Sequence, residues 1–244
     1  MNELRYLPSG DSSLIIEVGN KISENINKKI RDLVYCINKA KIKGIVELIP
    51  TYSTILISYD PIKISFNGLV EKLKEVEKNM KEIKLPEALV IHIPTLYGGE
   101  YGKDIQYVSK HNNITTKEVI KIHSEAKYLV YMLGFTPGFP YLGGMSEKIS
   151  TPRLKTPREK IPAGSVGIAG SQTGIYPIDS PGGWRLIGRT PIKLFNLDRE
   201  KEVLLKAGDY LKFYPIDEEE YKEIEKKVKS NEYQIKKTIL EGDN

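Results

Sequence analysis

Apolar and polar positions change rhythm along this chain, and the changes outline its elements. Residues 13–19 (SLIIEVG), 45–49 (IVELI) and 54–59 (TILISY) are β-rich runs, with 50–53 as the turn between the last two. After Ser23, the residues Ile26, Ile30, Leu33, Val34 and Ile37 recur at helical spacing. Over 66–83, Leu69, Leu73, Val76 and Met80 form one apolar stripe with lysines and glutamates opposite, a solvated face. Residues 89–93 (LVIHI) predict a further strand. The order β-α-β-β-α-β is that of the split βαβ, ferredoxin-like unit.

Pro86 marks a boundary, with an α+β domain expected over 1–87 and a second domain over 88–244. One short helix is predicted at 116–126, then a strand at 128–133. Further strands are expected at 166–169, 185–187, 192–196, 203–205 and 210–214. Many short strands joined by Gly/Pro turns predict a barrel or sandwich. Asp217 and Glu220 form a capping-box start for a charged helix through about Lys229. Residues 134–191 hold 11 of the 20 glycines and 8 of the 14 prolines, yet also Phe135, Phe139, Tyr141, Ile161, Val166, Ile168, Ile175 and Trp184. A segment this rich in apolar side chains folds, and its shaped loops are where a site is expected.

Charge sharpens that expectation. The chain carries a net charge of +5, and residues 134–191 supply seven Lys/Arg against three acids. This is too sparse for a nucleic-acid footprint, which needs a dense basic face with stacking aromatics, but it suits a small anion. One cysteine, Cys36, excludes an intramolecular disulfide and a cysteine-based zinc cluster. No apolar run approaches a membrane span, and the start lacks the apolar core of a secretory signal, so a cytoplasmic location is expected.

Three local motifs lead elsewhere and do not hold. In Gly98-Gly99-Glu100-Tyr101-Gly102-Lys103-Asp104 the outer glycines are too close for a P-loop, and Asp104 stands where Ser/Thr would meet magnesium. Gly164-Ser165-Val166-Gly167 lacks the spacing of a nucleophile elbow. His92, His111 and His123 show no metal-ligand spacing, and no bound metal is expected.

Four segments in order, GFTPGFPYLGG (134–144), PRLKTPR (152–158), PAGSVGIAGSQTGIYP (162–177) and SPGGWRLIGRTP (180–191), resemble the family of the 5-oxoprolinase B subunit. That family is also described as allophanate hydrolase subunit 1 and includes the sporulation-kinase inhibitor KipI. The resemblance extends upstream through IPTLYGGEYGKD and covers essentially the whole chain. It implies an N-terminal α+β domain and a C-terminal cyclophilin-like β-barrel, which carries no implication of prolyl isomerase activity. It implies work with the A and C subunits of 5-oxoprolinase in the ATP-dependent opening of 5-oxo-L-proline to L-glutamate. ATP with Mg2+ would act at the level of the complex, and the chain alone would be inactive. Two alternatives share the same motifs: a KipI-like protein inhibiting a sensor histidine kinase, and a subunit of a related ATP-coupled amidase of allophanate hydrolase type. A lactam is an unactivated amide, and phosphoryl transfer to its oxygen would make the ring carbon electrophilic. Such a site needs cations for phosphate and carboxylate and donors for developing oxyanions.

Candidate residues follow from that need. Arg153 and Arg158 each stand behind a proline and either clamp an anion or form surface ion pairs with Glu147 or Glu159. His123 either acts as general acid/base or meets carbonyls at its helix end. For substrate contact the candidates are Phe139, Tyr141, Gln172, Thr173, Tyr176, Gly182, Gly183, Trp184 and Arg189. Several have a plain alternative: packing for Phe139, Tyr141, Tyr176 and Trp184, loop self-bonding for Thr173, and carbonyl pinning for Arg189.

Overall fold

In the computed structural model, which describes residues 4–80, 87–199 and 202–240, the pattern of the first 80 residues becomes one antiparallel sheet with two helices. Its elements are β1 (Arg5–Pro8), β2 (Ser13–Glu17), α1 (Glu24–Ala40), β3 (Ile45–Pro50), β4 (Thr54–Tyr59) and α2 (Phe66–Asn79). Strand order is β1-β2-β4-β3. Leu14 and Ile16 of β2 and Ile55 and Ile57 of β4 are buried in one cluster with Ile30, Leu33 and Ile37 of α1 and Leu69 and Leu73 of α2. Ser23 caps α1 by accepting from the Ile26 amide, as a serine before an amphipathic run should. The expected extension of α2 to 83, and the Pro86 boundary itself, lie outside the described residues.

The expected βαββαβ order is not the one observed. The strand that follows α2 does not join this sheet, and its place beside β2 is taken by β1. The physical reason lies in composition. That later strand, β5 (Leu89–Tyr97), is apolar at nearly every position and buried along most of its length. Such a strand suits the interior of a sheet better than an edge. Arg5–Pro8 is short, ends in proline and is half exposed, which is edge character.

Contacts group the chain into two compact units, Met1–Glu87 and Ala88–Asn244. After β5 the second unit contains α3 (Ile105–His111), α4 (Thr116–Glu125), β6 (Tyr128–Leu133) and β7 (Pro140–Gly143). It continues with β8 (Arg158–Ile161), β9 (Ser165–Ala169), β10 (Gln172–Ile175), β11 (Ser180–Gly182) and β12 (Arg185–Arg189). β13 (Tyr210–Pro215), α5 (Glu218–Lys229) and β14 (Lys237–Ile239) complete it. One sheet runs β10-β9-β12-β5-β13-β6-β7, with β14 paired to β5. Its two end strands approach each other closely: a Cβ placed on Gly174 of β10 would lie 3.5 Å from the Pro140 carbonyl oxygen in β7. The sheet is therefore a nearly closed barrel, consistent with the expected cyclophilin-like architecture. Val130, Val166, Ile168, Ile187, Leu211 and Phe213 fill it.

β8 and β11 form a separate two-stranded ribbon outside the barrel sheet. The strands expected at 192–196 and 203–205 reduce to a single bridge, Phe195–Val203. α5 begins with the expected reciprocal capping box of Asp217 and Glu220. No helix among the described residues is long and apolar enough to cross a membrane.

Candidate functional site

The Gly/Pro-rich loops bring five aromatic rings together on the second unit. Phe139 is at the centre, edge-on to Tyr141, Tyr176 and Trp184 at 5.6, 5.8 and 5.8 Å between centroids. Edge-to-face geometry matches the ring quadrupoles and holds the cluster rigid. Glycine at 182 permits this packing, because a Cβ there would collide with the Tyr176 hydroxyl. Gly183 accepts from the Leu154 amide at 2.7 Å and so ties the PRLKTPR segment to the same place. Burial raises the Tyr176 pKa, although a backbone hydrogen bond from Trp184 and the charges of Arg153 and Arg158 pull the other way. The phenol therefore stays a neutral donor at physiological pH.

Phe135 completes the group, a residue that its type and spacing alone did not single out as a site member. It is 74% exposed, its ring 5.9 Å from that of Phe139. Its φ is +66°, and the Thr136 amide donates to the Gly134 carbonyl across it at 2.8 Å. That is a three-residue γ-turn of the rare positive-φ kind. Buried beside it, the Thr136 hydroxyl has no hydrogen-bond partner among the described residues. An exposed aromatic held in a strained conformation next to an unsatisfied hydroxyl is the combination that clusters at functional loops.

Of the arginines, the structure separates two that the sequence made equivalent. Arg153 is exposed, with no hydrogen bond or ion pair among the described residues. Arg158 is engaged inward. Its Nη2 donates to both carboxylate oxygens of Asp104 at 2.9 Å, and its Nη1 to the Trp184 carbonyl at 3.2 Å. It is thus neither the free anion clamp nor the surface partner of Glu147 or Glu159 expected for it, because a nearer carboxylate saturates one end of the fork. Arg189 likewise donates through Nε to the Ala163 carbonyl at 2.8 Å, the loop-pinning alternative.

His123 lies in the interior with no exposed surface. Its Nε2 is 2.8 Å from the Thr173 hydroxyl and its Nδ1 is 2.8 Å from the Tyr97 hydroxyl. Thr173 donates its one proton to the Gly167 carbonyl, so it must accept from His123 Nε2–H, and Nδ1 must accept from Tyr97. Burial depresses the His123 pKa to about 3. A fixed, neutral, enclosed imidazole holds strands β5, β9 and β10 to α4. The expectation of an acid/base at the site does not match this enclosed position, and Thr173 is buried with it, bonded to His123 and the Gly167 carbonyl. Gln172 is half-buried at the start of β10, paired with Ala169.

Asp104 is a second residue without a signal in the sequence alone. The Gly98–Asp104 loop fails as a P-loop, and that failure leaves the aspartate with no role. Asp104 precedes α3 at the capping position, yet its side chain makes no cap bond. It accepts instead from Arg158 and, at 2.7 Å, from the Leu186 amide. Among the described residues, no three His, Cys, Asp or Glu side chains converge in a way that could hold a metal.

A family model described as the carboxyltransferase domain, subdomain C and D, matches residues 4–205. The chain is 43% identical over 222 residues to the 5-oxoprolinase B subunit of Bacillus subtilis (strain 168), covering 87% of this chain and 92% of that protein. It is 37% identical over 219 residues to the 5-oxoprolinase B subunit of Escherichia coli O157:H7, covering 89% and 99%. The crystal structure of TTHA0988 aligns with a TM-score of 0.76 at 33% identity, over 84% of this chain and 40% of that one.

Proposed function

The chain belongs to the carboxyltransferase subdomain C and D family and, within it, to the 5-oxoprolinase B subunits, and we propose that it serves as the B subunit of an enzyme converting 5-oxo-L-proline to L-glutamate. The observation that carries this is near-full-length similarity to two proteins named for that subunit, one of which it covers over 99% of its length. The A and C subunits are the proposed partners, and ATP is the proposed co-substrate of the assembly.

The residues described here do not fit an ATP–magnesium site. The carboxylate of the glycine loop, Asp104, is engaged by Arg158 and the Leu186 amide, and among the described residues no three His, Cys, Asp or Glu side chains converge to hold a metal. We therefore assign nucleotide handling to a partner subunit and substrate positioning to this chain. 5-Oxoproline is a small, flat ring with one carboxylate. The aromatic wall of Phe135, Tyr141 and Trp184, packed on the buried Phe139, offers faces and edges for the ring, and the guanidinium of Arg153 offers a planar fork for the carboxylate. Gly182 and Gly183 keep the wall free of side chains where the 181–184 loop passes.

The test is to measure glutamate release from 5-oxoproline and ATP with the A and C subunits, leaving out each chain in turn. Release that requires all three chains is expected. Equal release without this chain, or full release from this chain alone, would refute the subunit reading.

A further inference from the structure

Asp104 stands where three otherwise separate parts of the site meet. It is 8% exposed, and two guanidinium groups face it. Arg158 Nη2 donates to both of its carboxylate oxygens, and Arg185 Nη1 lies 4.0 Å from its Oδ1. Asp104 and Leu186 are doubly joined: the Asp104 amide donates to the Leu186 carbonyl at 2.8 Å, and the Leu186 amide donates to Oδ2 at 2.7 Å.

Each partner carries the connection outward. Arg158 donates on to the Trp184 carbonyl. Arg185 donates through Nε to the Pro152 carbonyl at 3.2 Å, and its guanidinium lies 3.6 Å above the Tyr107 ring. The loop that bears Arg153 is therefore held at both ends, Pro152 by Arg185 and Arg158 by Asp104 itself. In its middle, Leu154 is bonded to Gly183. One carboxylate against two guanidiniums leaves this hub with a net positive charge, and Arg153 adds another, so an anion is drawn toward the loop while Asp104 is shielded from it.

We propose that Asp104 is a positioning residue of this site, acting through Arg158, Arg185 and the Leu186 amide to hold the Arg153 loop and Trp184 in register for an anionic ligand. The proposal rests on the reading of the aromatic wall and Arg153 as the substrate site. Asp104 touches no ligand; it sets where the groups that do are placed. Removing its charge leaves two guanidiniums facing one another, and the loops that they anchor must separate.

Trp184 is the only tryptophan in the chain, so its emission reports the geometry directly. Two readouts are taken on Asp104→Asn, Arg158→Met and the double variant. One is acrylamide quenching of Trp184 in the full chain alone. The other is kcat and KM for 5-oxoproline in the assembly with the A and C subunits. In each single variant, quenching should increase and kcat/KM should fall about tenfold or more, with KM carrying most of the loss. The double variant, which no longer strands the Arg158 charge, should regain melting temperature over Asp104→Asn but not quenching or KM, and its losses should not multiply. If Asp104→Asn fails to fold, the double variant is read in its place against Arg158→Met.

Parental quenching and KM in Asp104→Asn would overturn the proposal. So would recovery of both alongside stability in the double variant, which would make Asp104 a stability element only. If the parental assembly does not turn over 5-oxoproline, the functional reading fails by itself, and the quenching comparison still decides whether Asp104 positions Trp184.

Discussion

Lowering the pH from 7 to 5 should weaken the second unit through one enclosed side chain, His123. In the folded chain its pKa is depressed from 6.5 to about 3 by burial. The unfolded chain takes up a proton below 6.5 that the folded chain refuses until about 3. The stability that depends on a neutral His123 is therefore present above 6.5 and lost as pH falls toward 3. Each pH unit inside that window costs about 1.4 kcal/mol, so reaching pH 5 costs about 2 kcal/mol and crossing the whole window about 5 kcal/mol. Protonation would also set Nδ1–H against the Tyr97 hydroxyl, the group that now donates to it. His123→Gln is the informative variant, because a carboxamide can donate to Thr173 and accept from Tyr97 but does not titrate. It should lose about 1–2 kcal/mol at pH 7 through imperfect packing. Between pH 7 and pH 5 it should lose about 2 kcal/mol less than the parent chain. Urea unfolding followed by Trp184 emission reads this, since His123 and Trp184 lie in the same unit. Equal pH dependence in the two proteins, or a His123 resonance titrating near its unperturbed value, would refute the argument.

Arg153→Lys keeps the charge but loses the planar fork, so kcat/KM for 5-oxoproline in the assembly should fall about tenfold, while melting barely shifts for an exposed side chain. Parental turnover would remove Arg153 from the site. Phe135→Gly relieves a positive φ that costs an L-residue about 1 kcal/mol, so the melting temperature should hold or rise as turnover falls. A lower melting temperature with unchanged turnover would make Phe135 structural. Gly182→Ala places a Cβ on the Tyr176 hydroxyl and 2.9 Å from Ile161 Cδ1, so it should lower stability by about 1–3 kcal/mol and shift Trp184 emission. Parental values of both would refute the packing account.

Much of the local structure was legible in the residues themselves. Ser23 and Asp217 cap their helices because capping is a contest within four residues. The stripes of α1 and α2 bury Ile30, Leu33, Leu69 and Leu73 as their spacing requires. The Gly/Pro block announced shaped loops with aromatic content, and the structure gathers Phe139, Tyr141, Tyr176, Gly182, Gly183 and Trp184 in one cluster. Local sequence could not say which sheet a strand joins. The strand expected at 89–93 went to the barrel, and Arg5–Pro8 took the place beside β2, because the choice depends on which neighbours bury both faces. Nor could it tell Arg153 from Arg158, since the carboxylate that claims Arg158 stands 54 positions away. His123 was ambiguous for the same reason: the groups that enclose it, Tyr97 and Thr173, lie 26 and 50 residues distant. A side chain's type sets what chemistry it can do, but burial and partner distance decide whether it is free to do it. Those quantities exist only once the chain has folded back on itself.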